Sequence, residues 1–276
     1  MNNDFTLSTY SELLRSIKHS GYSFYTFEDW CRGKATGRYV ILRHDVDSKA
    51  GNSLTIAGIE AEMGIRATYY FRIVPRSNQP EVIRAIAALG HEIGYHYEDL
   101  SLFHGDRVTA FEHFNLQLGY FRQFYPVCTI CMHGSPASKW DNRDLWKSVD
   151  YKELGIIGEP YLDFLNLPDT TYFTDTARMW DGEKYNIRDK RQILTGQTSN
   201  DPEPVLTRKG NKDSVEKNIH STFDLIEWFG IKPQQDIIMI TTHPQRWTDK
   251  STERILDSWI QDVKNQIKKV LIRIKG

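Results

Sequence analysis

An arginine and two aspartates occupy alternate positions at the end of an apolar run. Arg43, Asp45 and Asp47 close the strand-like stretch that begins at Arg38. Side chains at alternate positions of a strand share one face. Two carboxylates this close repel each other unless a proton or a cation lies between them, so the spacing predicts a divalent metal beside Arg43. Taken alone, such an aspartate pair is more often a helix cap and a surface residue.

A histidine and a glutamate repeat this spacing at the end of a second run. His96 and Glu98 share a strand face, and an imidazole and a carboxylate two positions apart can both reach one metal ion. Gly94, two residues earlier, permits close approach of a neighbouring segment. Taken alone, the pair is more often a hydrogen-bonded core histidine beside a solvated acidic turn.

Two further histidines directly follow apolar runs. His133 comes after residues 127–132, and His243 comes after residues 236–242. In parallel α/β folds, active sites lie where strands end and helices begin. One histidine at such a place is more often structural. Two histidines, an aspartate pair and a histidine–glutamate pair, all at strand ends, are hard to explain by chance and together predict an active site.

The elements that must carry these residues alternate between strand-like and helix-like patterns. Strands are predicted at residues 38–44, 65–74, 92–97, 127–132, 154–157, 172–174 and 236–242. Helices are predicted at residues 53–63, 80–89, 108–124, 213–229 and 251–274, and a loop at 195–211. Strands separated by helices in this way favour an α/β fold with a parallel sheet, either a closed barrel or an open doubly wound sheet.

The composition bounds the class of protein. The chain has 276 residues, of which 39% are hydrophobic and 26% are charged, which predicts a single globular domain over residues 1–276. A net charge of -1 argues against a nucleic-acid partner.

Cys128 and Cys131 are expected to be inert buried thiols, and the small cysteine count favours a reducing compartment. Without a signal-like N-terminus or a transmembrane-length apolar run, a cytoplasmic location is expected.

The order of these motifs resembles the polysaccharide deacetylase family, carbohydrate esterase family four. The matching pieces are RHDVD at 43–47, GHEIGYH at 90–96, HGSP at 133–136 and THP at 242–244. GHEIGYH is the most specific of them, and together they span a core of about residues 38–246. The resemblance implies a distorted (β/α)7 barrel, similar to a TIM barrel, that holds one divalent metal, zinc being the expected ion. Members of this family hydrolyse acetamides on amino sugars.

The resemblance also implies roles for individual residues. By position, Asp45 corresponds to the general base, and Asp47 and His96 correspond to metal ligands. His243 corresponds to the acid that protonates the leaving amine. Trp180 is a weak match to the family's fourth motif, whose residues support the catalytic groups.

The chain departs from the family pattern at two positions. The family's aspartates are usually adjacent, whereas Val46 separates them here. The family's second metal-binding histidine lies four residues after the first, where this chain has Leu100. A leucine side chain has no atom that binds a metal, so another group must supply the third ligand or the metal site has been lost.

Several groups could replace the missing histidine. The candidates are Glu98, Asp99, His104, His133 and water. Glu98 is the preferred ligand because it shares a strand face with His96. His133 is almost as suitable, although its match to an arginine of the family's third motif suggests contact with Asp45 instead.

The predicted function is therefore metal-dependent hydrolysis of an N-acetyl or similar N-acyl group on an amino sugar. A nucleotide- or lipid-linked sugar in surface-glycan biosynthesis is the expected carbohydrate substrate. The alternatives are a catalytically silent carbohydrate-binding barrel and another metal-dependent C–N hydrolase with a small amide substrate. A C-terminal helix over 251–276, apolar on one face and basic on the other, is expected to pack on the barrel, with peripheral membrane contact as the alternative.

Overall fold

The computed structural model describes residues 4–135, 138–180 and 219–253, and its centre is a sheet of parallel strands. The strands are β1 (Ser23–Tyr25), β2 (Tyr39–Val46), β3 (Thr68–Phe71), β4 (Glu92–Tyr97), β5 (Ile130–Met132), β6 (Thr170–Thr174) and β7 (Ile237–Thr242). Their order is β5-β4-β3-β2-β7-β6, and β1 pairs with the first half of β2. Every pairing between these strands is parallel.

Helices separate most of the strands and cover the sheet. They are α1 (Leu7–His19), α2 (Phe27–Cys31), α3 (Ala50–Glu62), α4 (Pro80–Ala88), α5 (Asp99–Leu102), α6 (Arg107–Phe121) and α7 (Thr222–Gly230). Local sequence sets their starts: Pro80 opens α4, Asp106 caps α6, and Ser221 forms a capping box with Asp224 at α7. Among the described helices, none combines the length and apolar character needed to cross a bilayer.

The predicted fold class is confirmed. The parallel strands and their helices form a curled half-barrel, the form of a distorted (β/α) barrel. The strand predicted at 154–157 is wrong, because Tyr151–Leu154 forms a 3-10 turn and Gly155 then takes a left-handed conformation with φ of 72°. In place of a strand, a single parallel bridge joins Gly158 to Thr129, just before β5.

Other predicted elements differ mainly in their limits. The helix predicted at 213–229 begins, within the described residues, at Thr222. The sequence patterns missed β1, α1 and α2 near the start of the chain. The loop predicted at 195–211 lies outside the described residues, as does the C-terminal helix beyond residue 253.

The fully buried strand β2 presents different residues to its two sides. Arg43 and Asp45 alternate with His44, so the first two face the inside of the curled sheet and His44 faces the helices. Asp45 lies beside Tyr70 in the ladder, and Tyr70 lies beside Gly94. A Cβ at Gly94 would lie 2.3 Å from the Tyr70 ring. The close approach expected at Gly94 is therefore present.

Candidate active site and metal centre

Asp45 is held by the arginine two residues before it. Arg43 donates from Nε to Asp45 Oδ1 at 2.8 Å and from Nη2 to Asp45 Oδ2 at 2.6 Å. Burial would raise the pKa of Asp45, but the charge and hydrogen bonds of Arg43, together with the charges of His96 and His243, lower it. Asp45 is therefore ionised at neutral pH, with both of its oxygens in use.

Asp47 lies at the end of β2 with one oxygen unsatisfied. Gln245 donates to Oδ2 at 3.1 Å, whereas Oδ1 is buried and has no hydrogen-bond partner among the described residues. Two imidazole nitrogens lie near Oδ1, His96 Nε2 at 3.7 Å and His133 Nε2 at 3.5 Å. A third, His243 Nε2, lies 4.0 Å from Oδ2. Three histidines, each from a different strand or strand end, thus surround one carboxylate.

His96 has its ring orientation set by the neighbouring strand. Its Nδ1 lies 3.0 Å from the carbonyl oxygen of Cys131, and a carbonyl oxygen only accepts, so Nδ1 carries the proton. In the neutral ring Nε2 then has a free lone pair beside Asp45 and Asp47. Burial lowers the pKa of His96 to about 4. His96 is consequently neutral at pH 7, the form in which imidazole binds a metal.

Glu98 contacts an arginine and a histidine. Arg72 donates to its Oε1 from Nε at 3.0 Å and from Nη2 at 2.5 Å. His133 Nδ1 lies 2.8 Å from Oε2, and the Ser135 hydroxyl lies 3.3 Å from the same oxygen. Burial would raise the pKa of Glu98, but the bond and charge of His133 and the charge of Arg72 lower it to about 2. Glu98 is ionised and accepts at both oxygens.

His243 is bound to an aspartate that the sequence analysis left out of the site. Its Nδ1 lies 2.5 Å from Asp175 Oδ1, and its backbone N–H donates to Asp175 Oδ2 at 3.0 Å. Arg246 Nη1 lies 2.8 Å from Oδ1, and the Trp247 indole donates to Oδ2 at 2.9 Å. Burial would raise the pKa of Asp175, but the charges of Arg246 and His243 lower it. The aspartate therefore stays charged and orients the imidazole.

A second group of possible metal ligands shares a residue with the group around Asp47. Asp45, His96 and the buried Cys131 each place one such atom within 4.8 Å of the other two, so this group could hold a metal. His96 belongs to both sets. The sets differ in their carboxylate, because Asp45 is already bound at both oxygens by Arg43, whereas Asp47 has an oxygen without a hydrogen bond in the described part of the chain.

The structure brings most of the predicted site residues together. The residues that share the strand-end cluster are Arg43, Asp45, Asp47, His96, Glu98, His133 and His243. Trp180 lies apart from them. Its indole donates to Thr222 at 3.0 Å, and its ring centroid is 6.5 Å from that of Trp247. The indole that contacts Asp175 belongs to Trp247.

The contact expected between His133 and Asp45 is replaced by one from Arg43. Sequence reasoning also missed Arg72, Asp175 and Gln245. Arg72 directly follows β3 and Asp175 directly follows β6, so the strand-end rule that found the histidines could have found both. Gln245 has no comparable signal, because it lies three residues beyond β7.

No family model matches the chain, and no curated protein matches it. Among solved structures, the chain is similar to the Xyl-CE4 domain of a multidomain xylanase from the hindgut metagenome of Trinervitermes trinervoides. The identity is 12%, the match covers 84% of this chain and 85% of that one, and the TM-score is 0.40. Similarity this low says nothing about substrate or mechanism, so the function rests on the side chains themselves.

Proposed function

We propose that the protein is a metal-dependent hydrolase that removes an N-acetyl or similar N-acyl group from an amino sugar. The observation that carries the proposal is the unsatisfied oxygen of Asp47, near which two histidine nitrogens lie at 3.5 and 3.7 Å. A buried carboxylate oxygen without a donor is costly unless a cation occupies the space in front of it. The sugar and the acyl group are proposed from the motifs RHDVD and GHEIGYH.

The residues fit a divalent metal. Asp47 supplies a carboxylate and His96 a neutral imidazole nitrogen, which are oxygen and nitrogen donors of the kind that zinc binds. When bound, zinc lowers the pKa of a water molecule towards ~7 and polarises a carbonyl group. The Asp47 side chain is 23% exposed and the His96 side chain 2%, so a substrate would approach from the side of Asp47.

Asp45 is the proposed proton acceptor. Arg43 keeps it charged and fixes both of its oxygens, so its position does not depend on a substrate. The bound arginine also makes Asp45 a weaker base than a free carboxylate, because it stabilises the charged form. Asp45 therefore accepts a proton effectively only from a water that is already acidified.

His243 is the proposed proton donor to the leaving amine. The Asp175 carboxylate accepts from Nδ1, which leaves Nε2 to carry the transferable proton. That nitrogen lies 4.0 Å from Asp47 Oδ2, at the edge of the proposed metal site. Acceptor and donor thus come from β2 and from the residue after β7, which are neighbours in the sheet.

Acetate release from a panel of N-acetylated sugars, free and linked to a nucleotide or a lipid, tests the proposal. We expect turnover that a chelator abolishes and that added Zn²⁺ restores. Asp45→Asn should reduce turnover by ~10²–10⁴-fold, the usual contribution of a positioned base. The control is Asp144→Asn at a partly exposed aspartate that pairs with Lys147. A folded, zinc-loaded protein that cleaves none of these substrates contradicts the proposal.

A catalytically silent carbohydrate-binding barrel is the second candidate. The buried Leu100, where the resembling family has a metal-binding histidine, is the observation that favours it. Purified protein with much less than one zinc per chain, together with unchanged sugar binding in Asp45→Asn, would support this second function. Turnover of small cyclic amides but not of sugars would indicate the remaining alternative, a different C–N hydrolase.

A further inference from the structure

The proposed metal site needs a third protein donor that Leu100 cannot supply. Catalytic zinc sites usually have three protein ligands and one open position. Asp47 and His96 account for two of them. Leu100 is 2% exposed and apolar, so the missing group must come from another part of the fold.

The strand pairing brings His133 to the position where a donor is needed. His96 lies beside Cys131 in the ladder between β4 and β5, and Tyr97 lies beside Met132. The backbone N–H of His133 then donates to the Tyr97 carbonyl at 2.8 Å, which continues the pairing by one residue. Because side chains alternate, His133 points to the same side of the sheet as Cys131 and His96.

Two distances from Asp47 are close to those between ligands of a shared ion. His133 Nε2 lies 3.5 Å and His96 Nε2 lies 3.7 Å from the unsatisfied oxygen Oδ1. Neighbouring ligand atoms of a tetrahedral zinc site are about 3.3 Å apart, given bonds of about 2.0–2.1 Å. Both distances are too long for hydrogen bonds and close to this ligand spacing.

Glu98 has a different task from the one its spacing indicates. Both of its oxygens accept hydrogen bonds, Oε1 from Arg72 and Oε2 from His133 Nδ1. A carboxylate only accepts, so a proton of His133 lies on Nδ1, and in the neutral ring Nε2 then has a free lone pair that faces Asp47. Metal-bound histidines commonly donate their other N–H to a carboxylate in this way. Arg72 in turn anchors the carboxylate.

We infer that His133 is the third metal ligand, and that Glu98, anchored by Arg72, is a positioning residue that orients it. The inference rests on the proposed function, because it concerns the same ion. The inference assigns the third ligand to the residue after β5, whereas the sequence spacing had pointed to Glu98 after β4. It also disfavours the set Asp45, His96 and Cys131, since Asp45 would have to give up a bidentate bond to Arg43.

Zinc titration of the full chain, monitored by calorimetry or by competition with a coloured chelator, tests the inference. His133→Ala should weaken zinc binding by more than ~100-fold, and Glu98→Gln by ~10–100-fold, the range for residues that support a ligand. Residues of the same types outside the cluster supply the controls: His19→Gln, at an exposed position in the last turn of α1, and Glu112→Gln on α6. Both controls should bind zinc like the unaltered protein.

Histidine ¹⁵N spectra of the unaltered protein report directly whether zinc contacts a ring nitrogen. A histidine with a purely structural role would show no such zinc-dependent shift. Zinc should shift the Nε2 resonances of His96 and His133 and leave those of His19 unchanged. Glu98→Gln should redistribute the proton between the two nitrogens of His133. This measurement does not depend on the folding of His133→Ala.

The outcomes separate the two proposals. Zinc binding that survives His133→Ala, or an Nε2 resonance of His133 that zinc does not shift, overturns the inference alone. Loss of binding in Cys131→Ser with retention in His133→Ala assigns the ion to the set that contains Cys131 and also overturns it. Unaltered protein that binds no zinc overturns the metal-dependent function together with this inference.

Discussion

The two sides of strand β2 carry two buried polar clusters that differ in one respect. The outer cluster centres on Glu60 of α3, which accepts from His44 at 2.7 Å, from Tyr69 at 2.6 Å and from Tyr10. His44 also contacts the Thr242 hydroxyl at 2.6 Å. Glu60 and His44 are completely buried, and the side-chain polar atoms of the outer cluster all have partners.

The inner cluster, which is the strand-end cluster around Asp47, does not provide a hydrogen-bond partner for every buried polar atom. Asp47 Oδ1 and Arg43 Nη1 are buried without a hydrogen-bond partner in the described part of the chain. Burial of a charged group is compensated in the outer cluster by partners from several surrounding elements. In the inner cluster the Asp47 oxygen lacks a compensating partner, as expected where a cation belongs, whereas the Arg43 nitrogen is a donor that requires an acceptor. Complete hydrogen bonding therefore indicates a structural cluster, and the unsatisfied carboxylate oxygen of Asp47 indicates a place for a cation.

The largest expected difference concerns turnover. His243→Gln removes the proposed proton donor, so turnover should fall by ~10²–10⁴-fold. Thr242→Val, one residue earlier and directed at the outer cluster, is the matched control and should retain most of the turnover. Acetate release by the two purified variants is the measurement. Equal loss in both would mean that the outer cluster takes part in catalysis, and the distinction between the clusters would fail.

Next in size is the stability of the outer cluster. Glu60→Gln replaces one accepting oxygen with an NH2 group that faces a hydroxyl or imidazole donor, so the free energy of unfolding should fall by up to ~3 kcal/mol, the usual effect of leaving a buried donor unsatisfied. Urea denaturation gives this value. Glu62→Gln, at an exposed position of the same helix, is the matched control and should change stability by less than about 0.5 kcal/mol. An unchanged free energy of unfolding in Glu60→Gln would show that the hydrogen bonds to Glu60 contribute little to stability.

Asp47→Asn examines the inner cluster in the same way. In metal-free protein the change should alter the free energy of unfolding by no more than ~1 kcal/mol, because Oδ1 has no hydrogen bond to lose among the described residues. With zinc at about 100 times its Kd, the unaltered protein should gain about 2.7 kcal/mol and the variant should gain almost nothing. Thermal unfolding with and without zinc measures both. A large loss in the metal-free variant would assign Asp47 a structural role.

The smallest expected effect is a change in how the free energy of unfolding depends on pH. Burial would raise the pKa of Glu60, but the charge and hydrogen bond of His44 lower it below its usual 4.5. A lowered folded-state pKa means that the unfolded chain takes up protons first, so stability is present above the usual glutamate pKa and is lost as pH falls further. Glu60→Gln should flatten this acid limb in unfolding curves collected from neutral to acidic pH. An unchanged acid limb would show that Glu60 titrates normally.

Sequence patterns were sufficient for the elements that depend on local periodicity. The strand predicted at 92–97 is β4 with the same limits, and the helix predicted at 80–89 differs from α4 by one residue. Alternation alone placed Arg43 and Asp45 on one face of β2. By contrast, the patterns missed the three-residue strand β1 and wrongly predicted a strand at 154–157. Segments this short contain too few residues for periodicity to distinguish a strand from a turn.

Residue type and alternation are local properties, so they were enough to predict that polar, metal-binding side chains come at the ends of several parallel strands. The pairing of those side chains became evident only in the folded chain. Glu98 and His133 are 35 positions apart, and Asp175 and His243 are 68 apart. Contacts between strands depend on register and curvature, which no single segment encodes. For that reason the spacing pointed to Glu98 as a ligand, whereas in the folded chain its carboxylate binds His133.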